Sequence, residues 1–285
     1  MTDVAQAFVP GHVTGFFTVE RDDDPTIAGS TGAGLVLTDG VTVTVRRADE
    51  SGVYLGGDEV EMEAVERTLD ALRVTAEVRG TTDLPVGSGF GVSGAMALGA
   101  ALGANAVFER GLSMYELATI AHGAEVQAGT GLGDVVAQRH GGAPIRLEPG
   151  SPQHNRMDAI PQRRRVEYLV EGELSTSEVI EGDVDALGQP GRQALSDLVQ
   201  EPTLATFMRA SRTFARETGL LTGWVQDVVT DVTDAGGDAA MGMLGETVVA
   251  LDTGLSDAGY DPEVCQIDPT GATILSPPGD PGPVE

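Results

Sequence analysis

The segment from Leu84 to Ala95, Leu-Pro-Val-Gly-Ser-Gly-Phe-Gly-Val-Ser-Gly-Ala, constrains this chain more than any other stretch. Glycine recurs there at alternate positions, and Ser93 then opens a segment of small residues that predicts a helix. Glycine allows a positive φ and carries no Cβ that would keep a ligand away from the backbone. At a helix N-terminus, such a loop presents N–H groups and the positive end of the helix dipole to an anion, usually a phosphate. Taken alone, the loop is also compatible with a plain turn between strand and helix, and Ser93 with a simple N-cap.

The charged residues narrow the kind of phosphate site. The 285 residues include 17 basic and 44 acidic side chains, and every basic one is arginine. Without lysine the chain has no Walker-type phosphate loop, no Schiff-base lysine and no protein-kinase lysine. The net charge of −27 argues against a nucleic-acid partner, which would need a basic face. The acidic excess is typical of a salt-adapted, halophilic protein of the cytoplasm, because high salt screens self-repulsion.

Other sequence features exclude a disulfide framework and a membrane partner. Cys265 is the single cysteine, so neither an intramolecular disulfide nor a cysteine-based zinc site can form. The first residues lack the basic region of a signal peptide. The uncharged stretch from Leu84 to Phe108 is too rich in glycine and alanine for a membrane span. We therefore expect a cytoplasmic location.

Mixed strand and helix signals in two halves predict an α+β protein with two subdomains. Residues 1–150 form the expected N-terminal domain and residues 151–275 the C-terminal domain, with a flexible tail over residues 276–285. The pattern predicts a strand from Val4 that ends at Pro10-Gly11 and a hairpin around Asp39-Gly40. Helices are predicted over Glu63–Leu72, Ser93–Glu109, Met114–Ala128 (with a capping box at Ser113), Asp134–Arg139, Arg192–Gln200, Thr203–Glu217 and Leu221–Ala235.

Two carboxylates downstream of the glycine loop are candidates for chemistry. Glu125 lies near the C-terminus of a mostly apolar helix, where the helix dipole disfavours a carboxylate. It belongs either to a solvated face or to a Mg²⁺ site completed by substrate phosphates. Asp134 either caps the next helix or faces a substrate hydroxyl as an acid or base. Together with the loop and the Ser93 hydroxyl, these carboxylates form a kinase-like set.

These residues lie in segments that resemble the GHMP kinase superfamily. Pro85–Ala95 resembles its second motif, Pro-x-x-x-Gly-Leu-Gly-Ser-Ser-Ala, and Val9–Phe17 resembles its first, Ala-Pro-Gly-Lys/Arg. The run from Glu125 through Asp134 to Gly141-Gly142 resembles the Glu…Gly-x-x-Ser-Gly-x-Asp…Gly-Gly pattern. Asp238–Val248 resembles a modified third motif.

Within the superfamily, four segments resemble the archaeal pantoate kinases: Pro10–Phe17, Gly29–Gly34, the glycine loop and Met243–Val248. That family phosphorylates (R)-pantoate to (R)-4-phosphopantoate on the archaeal route to coenzyme A. The resemblance implies a ribosomal-protein-S5-domain-2-like N-terminal half, a ferredoxin-like α/β C-terminal half, and ATP and Mg²⁺ as cofactors. A shikimate, homoserine or mevalonate kinase, or a non-catalytic GHMP-like binding protein, is the alternative. A homodimer is a further expectation.

The resemblance also implies roles for individual residues. Asp134 would orient or deprotonate the pantoate hydroxyl, Ser93 would contact the phosphates and Mg²⁺, and Glu125 would hold Mg²⁺. Residues expected to contact the nucleotide are Pro85, Gly87, Ser88, Gly89, Gly91, Ser93 and Gly94.

Departures from the family pattern leave some roles open. His12 stands where many members have Lys or Arg, and it either contacts substrate or is a satisfied core histidine. Thr130 stands in for the serine of Gly-x-x-Ser-Gly-x-Asp, and the third motif has lost most of its glycines. The substrate carboxylate needs a cationic partner, which without lysine must be arginine. The expected substrate residues are accordingly His12, Thr14 and Arg146, with Arg156 as a second candidate arginine.

Overall fold

A computed structural model describes the protein over residues 3–173 and 184–275, so the predicted tail at 276–285 lies outside the described residues. The described strands are β1 (Val4–Phe17), β2 (Gly32–Arg47), β3 (Gly52–Leu55), β4 (Asp58–Glu59), β5 (Ala76–Thr81), β6 (Ala143–Glu148), β7 (Arg156–Ile160), β8 (Arg165–Glu173), β9 (Asp238–Gly242), β10 (Gly245–Leu251), β11 (Glu263–Gln266) and β12 (Thr273–Leu275). The described helices are α1 (Glu63–Leu72), α2 (Val92–Val107), α3 (Met114–Ala128), α4 (Asp134–His140), α5 (Val184–Gln200), α6 (Leu204–Glu217), α7 (Gly223–Asp234) and α8 (Gly254–Asp257).

The strands form two sheets, which confirms the α+β class. The first sheet has the order β12-β1-β2-β5-β3-β4, and β6 joins it by pairing with both β2 and β7. The second sheet is β11-β8-β10-β9, with all its pairs antiparallel. The chain passes from the first sheet to the second between Ile160 and Arg165. The domain boundary at residue 150 stays a prediction.

The two longest strands run straight through the positions that the sequence suggested as turns. Pro10 pairs with Gly40, whereas Gly11 pairs with Leu37, so the register shifts between the two residues of β1. A Cβ at position 40 would overlap the carbonyl oxygen of Val9. Glycine therefore serves a close strand approach at a bulge here and not a chain reversal, so the predicted strand end and hairpin were wrong. Strand β1 continues to Phe17, and every residue of its second half, from Val9 onward, is buried in the protein.

Helix α2 packs unusually closely on the first sheet. A Cβ at Gly103 would lie 2.5 Å from Cγ2 of Val45, and one at Gly99 would overlap Val43. These contacts need small residues, as the composition of the segment predicted. The close packing brings the N-terminus of α2 to the edge of β1, directly after the glycine loop.

Helices α1 and α3 have the predicted bounds, and the capping box of α3 is present, since Glu116 N–H donates to Ser113 Oγ and Ser113 N–H donates to Glu116 Oε2. Within residues 3–173 and 184–275, no helix combines the length and apolar character that a membrane span requires.

Candidate active site

The glycine loop and the first turn of α2 form one wall of a cavity of about 390 Å³. Gly87, Gly89 and Gly91 have φ values of 79°, 82° and 66°, which are left-handed conformations that favour glycine. Gly91 is the N-cap of α2, and no side chain in the described part of the chain caps that terminus. The first-turn N–H groups therefore have no side-chain acceptor among the described residues, which suits an anion at this end of the helix. The cavity is also lined by Thr14, Met62, Val86, Phe90, Val92, Ser93, Glu125, Ala128, Gly129, Thr130, Asp134, Met243 and Leu244.

The loop is held against the second half of the protein by backbone contacts. A Cβ at Gly89 would lie 2.5 Å from the carbonyl oxygen of Met243. The carbonyl oxygen of Ser88 accepts a hydrogen bond of 2.9 Å from Thr247 Oγ1, a buried interaction between residues far apart in sequence. The loop is thus fixed between α2 and the β9–β10 connection, which makes it a preorganised element.

Glu125 lies at the floor of the cavity with two hydroxyl groups on one of its oxygens. Ser93 Oγ donates to Glu125 Oε1 at 2.6 Å, and Thr130 Oγ1 donates to the same atom at 2.8 Å. The Glu125 side chain is buried, and its burial raises its pKa to about 7. Ser93 and Glu125 together supply hard oxygen donors of the kind that Mg²⁺ prefers.

Asp134, at the start of α4, forms a hydrogen-bonded pair with His12 of β1. The Nδ1 atom of His12 lies 2.7 Å from Asp134 Oδ1, and the imidazole is fully buried. Burial lowers the pKa of His12, so the ring is neutral near pH 7. Burial alone would raise the pKa of Asp134, but the His12 hydrogen bond and the nearby Arg146 charge keep it below its usual value. Since an ionised carboxylate only accepts, Nδ1 of His12 carries the proton.

Arg146, on β6, is a buried cation next to this pair. It is 2% exposed, and its Nε and Nη1 atoms have no hydrogen-bond partner among the residues that the structure describes. A Cβ at Gly133 would lie 2.7 Å from Arg146 Nε, so glycine there gives the guanidinium its space. Burial lowers the Arg146 pKa to about 10, which leaves the group charged at neutral pH. The Asp134 charge offsets part of the cost of burying this guanidinium, and an anionic ligand that accepts from Nε and Nη1 would offset more of it.

Arg146 lines a second, smaller cavity that adjoins the first. Its other lining residues are Thr14, Phe17, Ser30, Gly131, Leu132, Gly133, Asp134 and Leu244. Thr14, Asp134 and Leu244 line both cavities. The smaller cavity is only about 20 Å³, and the Asp134 carboxylate lies at its junction with the larger one, an arrangement that suits transfer of an anionic group from a donor to a hydroxyl.

The structure brings most of the predicted site residues together. Gly87, Gly89, Gly91, Ser93, Glu125, Asp134, Thr14 and Arg146 all line one cavity or both.

The other predicted site residues, Pro85, Ser88, Gly94 and His12, line neither of the two cavities. Pro85 lines a different cavity of about 820 Å³, whose wall includes Asp39 and Glu263 and is unsuited to phosphate. Ser88 is buried against the second half, and Gly94 lies so close to α4 that a Cβ added to it would be 3.2 Å from Asp134 Cβ. His12 is behind Asp134, so its predicted substrate contact stays a prediction.

Sequence reasoning missed several residues of the site. Gln138 Nε2 donates to the carbonyl oxygen of Gly91 at 2.8 Å, which ties the loop to α4. Ser30 and Leu244 line the smaller cavity. Gln138 carried no signal in the sequence. Thr130, which the sequence singled out as the replacement for the motif serine, is a second donor to Glu125.

The comparisons with known proteins agree with this geometry. The family model for the GHMP kinases N terminal domain matches residues 60–142, which include the glycine loop, Glu125 and Asp134. The pantoate kinase of Methanocaldococcus jannaschii is 32% identical over 252 residues, covering 86% of this chain and 91% of that protein. The pantoate kinase of Thermococcus kodakarensis is 35% identical over 264 residues, covering 86% and 87%. A solved structure described as a phosphotransferase related to the CoA biosynthesis pathway aligns with a TM-score of 0.86 and 30% identity, over 95% of this chain and 98% of that one.

Fold and site thus define a small-molecule kinase of the GHMP class, with a glycine loop, a hydroxyl and two carboxylates around one cavity. The two pantoate kinases are more than 30% identical to this chain over most of both sequences, so the chain belongs to the pantoate kinase family.

Proposed function

We propose that this enzyme transfers the γ-phosphoryl group of ATP to the terminal hydroxyl of (R)-pantoate, giving (R)-4-phosphopantoate and ADP for coenzyme A biosynthesis. The observation that carries the proposal is the place of Asp134, at the junction of a cavity that faces an uncapped helix N-terminus and a cavity lined by Arg146, whose Nε and Nη1 have no hydrogen-bond partner among the described residues. The two relatives named pantoate kinase support the choice of acceptor.

The larger cavity suits the phosphates of ATP. The first-turn N–H groups of α2 and the positive-φ glycines can approach phosphate oxygens closely, because no Cβ intervenes. Ser93 and Glu125 would hold a divalent ion, and their donor set fits Mg²⁺, which takes few carboxylates and completes its shell with phosphate oxygens. Mg²⁺ would supply charge neutralisation on the transferred group.

The smaller cavity is only about 20 Å³, so it suits the anionic end of an acceptor whose remaining atoms and hydroxyl lie in the adjoining larger cavity. The Arg146 guanidinium can pair with a carboxylate, which would accept from the unsatisfied Nε and Nη1 groups. Asp134 and Thr14 lie toward the donor side, where the acceptor hydroxyl must sit. Ser30 Oγ donates only a long bond of 3.3 Å to the Leu132 carbonyl, so it can exchange this partner for a substrate oxygen.

The residues of this chain then perform three tasks in the transfer. Asp134 orients the acceptor hydroxyl and takes its proton as the oxygen attacks the γ-phosphorus and the bond to the β-phosphate oxygen breaks. His12 keeps the Asp134 carboxylate in place through its Nδ1 proton. Because the pKa of Asp134 lies below its usual value, proton transfer is late, as the loose transition state of phosphoryl transfer allows.

An assay of ADP release with Mg²⁺ and ATP in high salt tests the proposal, using pantoate, shikimate, homoserine and mevalonate as acceptors. We expect pantoate to give the highest kcat/KM. In Arg146→Met, the KM for pantoate should rise by about 100-fold with little change in the KM for ATP, because one charged hydrogen-bonded contact is lost. A preference for another acceptor, or an unchanged pantoate KM in the variant, would contradict the assignment.

The proposal includes a saline working environment. With 44 acidic and 17 basic residues, most carboxylates have no cationic partner, so the folded chain repels itself in dilute buffer. The cytoplasmic location and the homodimer stay predictions.

A further inference from the structure

The modified third motif forms a turn with a strained backbone conformation, and the residue roles proposed above do not account for this strain. The turn lies between β9 and β10, and Leu244 at its tip has φ +68°. Such a conformation is unfavourable for a branched side chain and is normally occupied by glycine. Leucine persists there only if the surroundings impose the conformation, and strained residues of this kind gather at functional sites.

Contacts on both sides of Leu244 impose that conformation. The N–H of Met243 donates to the carbonyl oxygen of Thr14 at 2.8 Å, which ties the turn to β1. Gly245 lies so close to the carbonyl oxygen of Ser88 that a Cβ would overlap it. The turn is therefore fixed between the strand that lines the acceptor cavity and the glycine loop.

This fixed turn places Leu244 at the boundary of the two cavities. Leu244 is half-buried and is the only aliphatic residue, among those the structure describes, that lines both of them. In the smaller cavity it joins Phe17 and Leu132 as the apolar wall, while Arg146 and Asp134 are the charged groups. The smaller cavity, about 20 Å³, is too small for a whole acceptor, so an acceptor whose anionic group pairs with Arg146 extends past Leu244 into the larger cavity. Leu244 then offers apolar contact to the part of the acceptor between its anionic group and its hydroxyl.

We infer that Leu244 is a specificity-determining residue that selects acceptors with a branched, apolar carbon between a carboxylate and the phosphorylated hydroxyl. The inference rests on the proposed function, since pantoate has a carbon with two methyl groups at this point. An acceptor without the branch leaves the leucine facing a void and binds less well, because apolar contact is lost.

The test compares pantoate with 2,4-dihydroxybutanoate, which has the same carboxylate and hydroxyls but lacks both methyl groups. The wild type should prefer pantoate by about 100-fold in kcat/KM, as expected for two missing methyl groups. In Leu244→Ala and Leu244→Gly this preference should fall at least 10-fold, through a higher KM for pantoate and with kcat for the unbranched acid retained. Leu244→Gly also removes the φ strain, so it provides a folded variant if Leu244→Ala is unstable.

Glu109→Gly is the matched control, because Glu109 is an exposed residue with φ 52° outside both cavities. It should gain the same relief of strain and leave the acceptor preference unchanged. An equal loss of activity with both acceptors in the Leu244 variants would overturn the inference and leave only a role in holding the turn. If the wild type is inactive on pantoate, the proposed function is rejected. If the wild type is active on pantoate but does not prefer it over the unbranched acid, only the inference about Leu244 is rejected.

Discussion

The buried carboxyl of Glu125 should make the stability of the metal-free protein fall as pH rises. Burial raises the pKa of this group from its ordinary value of 4.5 to about 7 in the folded protein. Between these two pH values the folded chain holds one more proton than the unfolded chain, so unfolding is favoured by raising the pH. The stabilisation is complete below pH 4.5 and lost above pH 7. At 1.36 kcal/mol per pKa unit, the loss amounts to about 3 kcal/mol, a large share of the usual stability of a domain.

Glu125→Gln isolates this contribution. Glutamine resembles the protonated carboxyl in shape and still accepts from Ser93 and Thr130 through its amide oxygen. We would measure urea unfolding of both proteins with EDTA in high salt, from pH 5 to pH 8. The difference in unfolding free energy should shift by about 2.5 kcal/mol in favour of the glutamine variant across this range, because part of the loss already occurs below pH 5. Glu66→Gln, at an exposed carboxylate of α1, controls for the general response of an acidic chain.

Adding Mg²⁺ to the same experiment tests the proposed metal role. The ion competes with the proton for Glu125, so the wild type should regain stability above pH 7. The glutamine variant, which lacks the charged ligand, should gain little. Parallel pH profiles for wild type and Glu125→Gln without metal would refute the reasoning, because they would mean that the carboxyl titrates alike in the folded and unfolded chains.

Three further predictions follow from the same geometry. Asp134→Asn should abolish turnover and leave ATP binding by calorimetry largely intact, and a kcat like that of the wild type would rule out the assigned role. His12→Asn, which keeps an N–H donor toward Asp134, should retain far more kcat than His12→Leu, whose kcat should fall by about 100-fold; equal values would mean that the hydrogen bond does not position the carboxylate. Dilution from molar salt into dilute buffer should unfold the chain, as followed by circular dichroism, and full stability there would contradict the salt requirement.

The parts of the fold that the sequence predicted well are those that local chemistry decides. Helix α3 begins at a capping box and ends at Gly129, which adopts φ 70°, so its signals lie within the segment itself. The errors at Pro10 and Asp39 have the opposite origin. Pro10 lies opposite a bulge in β2, and Asp39 lies within that bulge, so whether a glycine here reverses the chain or permits a close approach depends on the pairing of the two strands.

The candidate site, like the fold, has one part that local sequence predicts and another that depends on residues far apart in the chain. The glycine loop, Ser93 and Glu125 could be predicted because each belongs to a local motif at a helix end. The pairing of His12 with Asp134 joins residues 122 positions apart and depends on the register of β1.

That register also explains why histidine, and not a longer cation, stands at position 12. His12 pairs with Val36 on β2, and a Cβ at the nearby Gly34 would overlap its Nε2 atom, so the ring fills the space completely. Arg146, held by pairing with Gly32 of the same strand, already supplies a positive charge near Asp134. A second cation at position 12 would repel Arg146 in a buried setting. A neutral donor at position 12 and a buried cation on β6 are therefore two consequences of one arrangement, in which a hydrogen bond holds the Asp134 carboxylate and, in the proposed function, Arg146 pairs with the acceptor.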